Sequence, residues 1–290
     1  MTNLMGRNSY SSYVGRGWAP FSRWAGRHAV FDLLRAMDVN ARDSFAFEMI
    51  RIPSPPLLLA SGVAASATFV AADLIVSHSV DGYSITFNSI SELLIPGMVP
   101  TLARIVAVAL MSISDTFGIM FGFCGLLQAA NCVVDLASRS DQMQQRKRNS
   151  RKGTVSNEKI PFGQRLQIRL SMYRGGMLLG TASFCNLLSA LIFPQDVRGT
   201  VSTFSGRMHL ILLGMSVLLS LVAMHLLSWA ISSHSFQQFT VLVVSLMFAG
   251  GICAPLAQGI GILGIAERTA AYSYVIWQAV LSILLICICS

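Results

Sequence analysis

Ser91, Glu92, Asp196, His209 and Arg268 are the residues through which this chain could do chemistry. A hydroxyl, two carboxylates, an imidazole and a guanidinium can hold a cationic or hydroxylated group, relay a proton, or bind a divalent metal. They come from four polar segments set between long apolar runs: Ile90-Ser91-Glu92, Phe193-Pro194-Gln195-Asp196, Gly206-Arg207-Met208-His209 and Glu267-Arg268. Asp73 and Asp115 stand at ends of apolar runs and join the constellation. Ionisable groups held at a membrane boundary are costly enough to be functional candidates by default.

Each residue also has a structural reading. Ser89-Ile90-Ser91-Glu92 matches the capping box S-x-x-E, which by itself accounts for Glu92. Pro194 stops a helix, and Asp196 closes the turn after it with an Asx-type bond. Thr203 or Ser205 caps the next helix and leaves His209 in its first turn. Glu267-Arg268 reads as a solvated pair worth under about 1 kcal/mol. These readings explain the residues one at a time and leave their common side unexplained. His225, sixteen residues after His209, faces elsewhere and is expected to hydrogen-bond between helices. No G-x-S-x-G, H-E-x-x-H or phosphate-loop motif is present, and Gly-rich 250–264 reads as close helix packing.

The elements that must position these residues are set by composition. The chain is 53% hydrophobic and 12% charged, with a mean hydropathy of +0.61. A soluble domain carries roughly 25% charged residues, so water is not the solvent for most of this one. Six apolar stretches reach the ~20 residues that a crossing needs: about 57–77, 113–136, 173–193, 208–231, 239–262 and 271–289. Irregular backbone cannot face lipid, and no barrel alternation appears, so the expected fold is all-α with six transmembrane helices. All six cysteines lie within these runs and behave as small hydrophobes.

Charge orients the bundle. Residues 139–174 hold ten Lys/Arg against two acids, and residues 1–56 hold seven Arg against four acids. The connections at 78–98, 194–207 and 263–270 hold only Arg198, Arg207 and Arg268. The positive-inside rule then predicts that both termini and the basic loop are cytoplasmic and that the polar segments face outward. The excess charge is thereby read as a topology signal with attraction to anionic lipid, and not as a nucleic-acid surface. The predicted organisation is a basic cytoplasmic segment over 1–56 with a surface helix near 29–37, then a transmembrane domain over 57–289. The basic loop at 138–172 reads as mobile. Residues 99–136 are about twice the length of a crossing. A separate surface helix over 99–112 before a crossing at 113–136 keeps Asp115 near the outer boundary. The alternative crossing, 102–126, puts it mid-membrane at a cost of at least ~2.5–3.5 kcal/mol. The expected location is the inner (plasma) membrane. An Arg- and Ser-bearing start without acids before Asp32 keeps an organelle membrane as the lesser alternative.

With these motifs in place, the chain resembles a six-helix membrane protein family known as domain of unknown function 998. The resemblance rests on Ile90-Ser91-Glu92-Leu93, Gly122-Phe123-Cys124-Gly125-Leu126, Phe193-Pro194-Gln195-Asp196, His209, and Gly264 through Arg268 with Trp277, over about 57–289. Leu94 replaces a glycine of the family pattern, 97–112 looks inserted, and 139–172 is long. The resemblance implies a fold and topology and no activity. The leading expectation is an outer-face pocket built on Ser91, Glu92, Asp196, His209 and Arg268 that binds a small molecule or lipid head group, for transport, lipid handling or sensing. Alternatives are a metal-dependent membrane hydrolase using Glu92, Asp196 and His209, and a non-catalytic assembly subunit. The expected partners are membrane lipids, the head-group or small-molecule ligand, and proteins docking on the basic segments. The cofactor stays unknown, since no residue pattern names one.

Overall fold

The structure, a computed structural model, describes residues 55–152, 162–197 and 200–290, with side chains outside 140–152, 162 and 252–260. The expected surface helix near 29–37 lies outside the described residues. The described chain is helical, in the order α1 (Pro55–Ser79), a 3-10 turn (Ile90–Leu94), α2 (Thr101–Met120), a π turn (Phe121–Gly125), α3 (Leu126–Lys152), α4 (Phe162–Leu191), α5 (Phe204–Ile231), α6 (His234–Ile260) and α7 (Leu263–Cys289). Two prolines open α1, where a missing N–H costs nothing. Thr203 caps α5 by accepting from Gly206 N–H, and Ser232 closes it in the left-handed region.

Among the described residues, four helices are long and apolar enough to cross a membrane: Pro55–Ser79, Thr101–Arg139, Phe204–Ile231 and Leu263–Cys289. Their outward faces stay apolar, as Leu102 (73% exposed), Leu218 (65%) and Leu57 (63%) illustrate. In water such a surface would drive association, whereas in lipid it is simply solvated. α4 opens on Arg165, Arg169 and Arg174, which lowers the hydropathy of its first half.

Two expectations about boundaries change. The stretches 99–112 and 113–136 are not a surface helix followed by a crossing; they belong to one run of helix from Thr101 through the π turn. No proline or glycine interrupts 101–117, and Ala107 and Met111 are buried against Val76, Leu93 and Val99. The first half is therefore held inside the fold. At about 1.5 Å per residue, Thr101–Lys152 is more than twice the ~30 Å hydrocarbon thickness. The loop expected over 138–172 is likewise mostly helix, because α3 continues to Lys152 and α4 starts at Phe162. Its Gln, Lys and Arg are good helix formers, and Gly153 and Pro161 are the first breakers.

α1 packs on α2 and α7, α2 on α4, α4 on α5, and α6 on α7. The seam between α2 and α4 is made of small residues. Gly118 lies against Ser183, and a Cβ on Gly122 would collide with the Gly180 backbone. Lipid supplies no hydrophobic drive between helices, so such backbone approach, with its dense van der Waals contact, holds the pair. The main core gathers Trp277, Phe121, Leu59, Met224, Leu227 and Leu281. The Trp277 indole N–H donates to Thr240 Oγ1 at 3.0 Å. A second core, with Ala72, Val76, Leu93, Ala107 and Met111, sits beneath the connection between α1 and α2.

Candidate functional site

The connection from α1 to α2 must turn a chain of polar and small residues back over the bundle. Gly82 makes the first turn with φ of 76°, a conformation that costs glycine little. Ser89 then caps the 3-10 turn with Glu92 in a capping box. The Glu92 carboxylate accepts from Ser89 N–H at 3.0 Å and from Asn88 Nδ2 at 2.9 Å. The structural reading of Glu92 therefore holds, and it does not exhaust the residue, because Glu92 also lines a pocket.

Two neighbours on α7 secure the same turn from the other side. Glu267 accepts from Ile90 N–H at 3.1 Å, Ser91 N–H at 3.4 Å and Ser91 Oγ at 2.9 Å. It thereby meets free N–H groups at the start of the turn. Arg268 does not pair with Glu267 in solvent. It is 6% exposed and forms a bidentate ion pair with Asp73 of α1, Nε to Oδ2 at 2.8 Å and Nη2 to Oδ1 at 2.7 Å. Nη2 also donates to Tyr83 Oη at 3.0 Å, and Nη1 to the carbonyls of Ile85 at 2.9 Å and Asn88 at 2.8 Å. Every N–H of the guanidinium has a partner, so Arg268 is a clamp and not a free anion binder. Tyr272 donates to Asp73 Oδ2 at 2.6 Å and completes the carboxylate. Gly264 leaves room for this fan, since a Cβ there would strike the Ile85 and Asn88 carbonyls.

Tyr83 lies across the clamp, its ring centroid 5.8 Å from the guanidinium carbon, and donates to Ser89 O at 2.7 Å. Burial pushes its phenol up to about 12, so it stays a donor at physiological pH. Beside it opens a pocket of about 130 Å³ lined by Asp81, Tyr83, Asn88, Glu92 and the apolar Val80, Met98 and Val99, with Gly82 at its edge. Two carboxylates, a phenol and an amide against an apolar wall suit a small cationic or hydroxylated group.

Asp196 and His209 belong to a different construction, the connection from α4 to α5. The Asp196 carboxylate accepts from Thr203 N–H and Thr203 Oγ1, both at 2.7 Å. Those hydrogen bonds hold it below the ordinary carboxylate range. His209, 2% exposed, donates from Nδ1 to Phe193 O at 2.9 Å. Both acceptors near Nδ1 are carbonyls, which fixes the proton there and leaves the Nε2 atom buried without a partner. The structure thus brings Ser91, Glu92 and Arg268 together through Glu267 and Asn88, and places Asp196 and His209 on a second staple. Among the described residues no three His, Cys, Asp or Glu side chains are grouped to hold a metal. His225 does not bond between helices; it lies at the exposed surface with its ring against Trp229.

Tyr83, Asn88, Asp81 and Tyr272 were not picked out as site residues from the sequence. Tyr272 carried a usable signal, since it stands four residues after Arg268 and so on the same helix face. Tyr83, Asn88 and Asp81 lie in irregular backbone, where no periodicity says which side chains turn inward. No protein-family model matches this chain, and no curated protein or solved structure matches it.

Proposed function

We propose that this chain is a six-span protein of the inner (plasma) membrane, with both termini and the basic connection cytoplasmic. On this reading the pocket beside Glu92 faces outward and binds a small cationic or hydroxylated molecule, such as an amine-bearing lipid head group. The single observation that carries it is the pocket of about 130 Å³ lined by Asp81, Tyr83, Asn88 and Glu92 on a frame clamped by Arg268 and Asp73. Arg268 and Asp73 neutralise each other, so Asp81, Glu92 and Glu267 leave the region acidic and favour a cation. The volume suits a head group and not a whole drug-sized ligand, whose pockets run to roughly 300–1,000 Å³. Val80, Met98 and Val99 offer the apolar side that an amphiphile needs. The Lys/Arg asymmetry of the sequence supports the six-span topology. Transport, lipid handling and sensing all use such a site.

The test is binding of phosphatidylethanolamine against phosphatidylglycerol to protein purified in mild detergent, read by native mass spectrometry. Glu92→Gln keeps the capping geometry, because Gln also serves a capping box. It removes the charge, and loss of a charged hydrogen-bond partner worth about 1.5–3 kcal/mol should weaken amine-lipid binding by about tenfold or more. Unchanged binding in Glu92→Gln, or equal affinity for the two lipids, would return Glu92 to a purely structural role.

A further inference from the structure

Asp115 stands apart from both constructions described above. It lies fourteen residues into α2, within the long apolar helix Thr101–Arg139. Ser112, Asp115, Gly118 and Gly122 share the face of this helix that meets α4. Gly118 abuts Ser183, and a Cβ there would lie 3.9 Å from Gln278 Nε2 of α7. Tyr274, one turn before Gln278, brings its hydroxyl to Ser220 of α5 and Ser183 of α4 and lies near Asp115. Four helices therefore bring one carboxyl, three hydroxyls and a carboxamide to one level of the bundle.

We propose that Asp115 is a reversible proton-binding site inside the membrane, with Ser183, Ser220, Tyr274 and Gln278 as the polar shell that serves both of its protonation states. Among the described residues no cation and no hydrogen-bond donor is paired with the Asp115 carboxylate. An unpaired charge in an apolar helix is costly, and taking up a proton from water removes that cost. The surroundings hold what each state requires. Gln278 Nε2 is a buried donor without a partner, available to the ionised carboxylate. Asn186 Oδ1, on the turn of α4 after Ser183, is a buried acceptor without a partner, available to the O–H of the acid. The hydroxyls of Ser183, Ser220 and Tyr274 rotate to donate or accept. Of the titratable groups on the packed elements, α7 presents Tyr274, α4 carries Cys185 two residues from Ser183, α5 carries His209, whose Nδ1 donates to Phe193 O, and the acid of α1, Asp73, is committed to Arg268. Among the described residues no basic side chain is paired with Asp115. In this arrangement the carboxyl O–H breaks and releases its proton to water in one direction, and re-forms by taking one from water in the other.

The test uses the full-length protein in its membrane. Dicyclohexylcarbodiimide attacks carboxylic acids in their protonated form in apolar surroundings. Peptide mapping by mass spectrometry should find the adduct on Asp115 at neutral pH, decreasing several-fold as the pH is raised. Asp115→Asn should remove one protonated-carboxyl C=O band from the infrared spectrum, and Tyr274→Phe should shift that band. The carbodiimide experiment needs no variant and decides the matter if Asp115→Asn fails to fold. Glu92→Gln should leave the adduct unchanged, which separates this site from the head-group pocket. An unmodified Asp115 at both neutral and acid pH overturns the proposal. Protection by sodium at constant pH, with no effect of pH itself, overturns it in favour of a cation site.

Discussion

At the scale of single residues, Arg268 does the most, and it does so structurally. Its guanidinium meets Asp73, Tyr83 and two loop carbonyls at once, which ties α1, the α1–α2 connection and α7 together. Lysine has three donors on a point charge and cannot reproduce a planar fork. Arg268→Lys keeps a charge beside Asp73 but should leave the Ile85 or Asn88 carbonyl and part of the carboxylate unmet, costing about 1–3 kcal/mol as a buried unsatisfied polar group does. Thermal unfolding in detergent will read this as a large fall in midpoint, against a negligible change for Arg207→Lys on the exposed side of α5. A stable Arg268→Lys protein would mean that the clamp contributes little. Ser91 and Glu92 differ from Arg268 in kind. Ser91 is met by Glu267 of α7 and Glu92 within its own turn, yet Glu92 still presents a carboxylate surface to the pocket.

At the scale of elements, two constructions make separate predictions. The seam with α4 depends on glycine at Gly122, because the opposing atoms, of Gly176 and Gly180, are backbone and cannot move aside. Gly122→Leu should push the helices apart and destabilise the protein by at least about 1–3 kcal/mol, the usual cost of overpacking. Gly163→Leu, at the open start of α4, should be tolerated; matching stabilities for the two variants would deny the seam its role. The α4–α5 staple is acid-sensitive. Asp196 is held below its ordinary range by Thr203, so its contribution is present above the unfolded carboxylate value and is lost as pH falls through the lower folded value. Hydrogen exchange across 196–206 should rise below about pH 4 in the wild type, whereas Asp196→Asn should flatten that acid response. An identical acid response in both proteins would assign it to another group. Both constructions were partly legible. Asp196 with Thr203 announced a turn and a cap, but nothing around Gly122 named Gly176 and Gly180 as its partners.

At the scale of the whole molecule, orientation is the property on which the proposed site depends. Single cysteines placed at Ser150 and Ser202, in a background without native cysteines, should show opposite accessibility to an impermeant maleimide in intact cells. Equal labelling would remove the topology and the outward-facing pocket with it. Helical, membrane-spanning character was determined by the sequence alone, because apolar runs in lipid leave the backbone no choice but to bond within itself. The turn chemistry at Ser89-Glu92 and the capping of α5 by Thr203 were also readable there, since a cap is decided within four residues. Partner choice was not. Arg268 lies beside Glu267 in sequence yet bonds to Asp73 on another helix, and Glu267 turns instead to Ile90 and Ser91. A helix sends adjacent residues to different faces, so neighbours in the chain address different parts of the fold. The separation of Glu92 from Asp196 and His209 into two constructions, and the meeting of Gly118 with Ser183, were likewise decided only when the helices packed. A common side of the membrane is a property of each helix end taken singly, whereas a shared site depends on which helices lie next to one another.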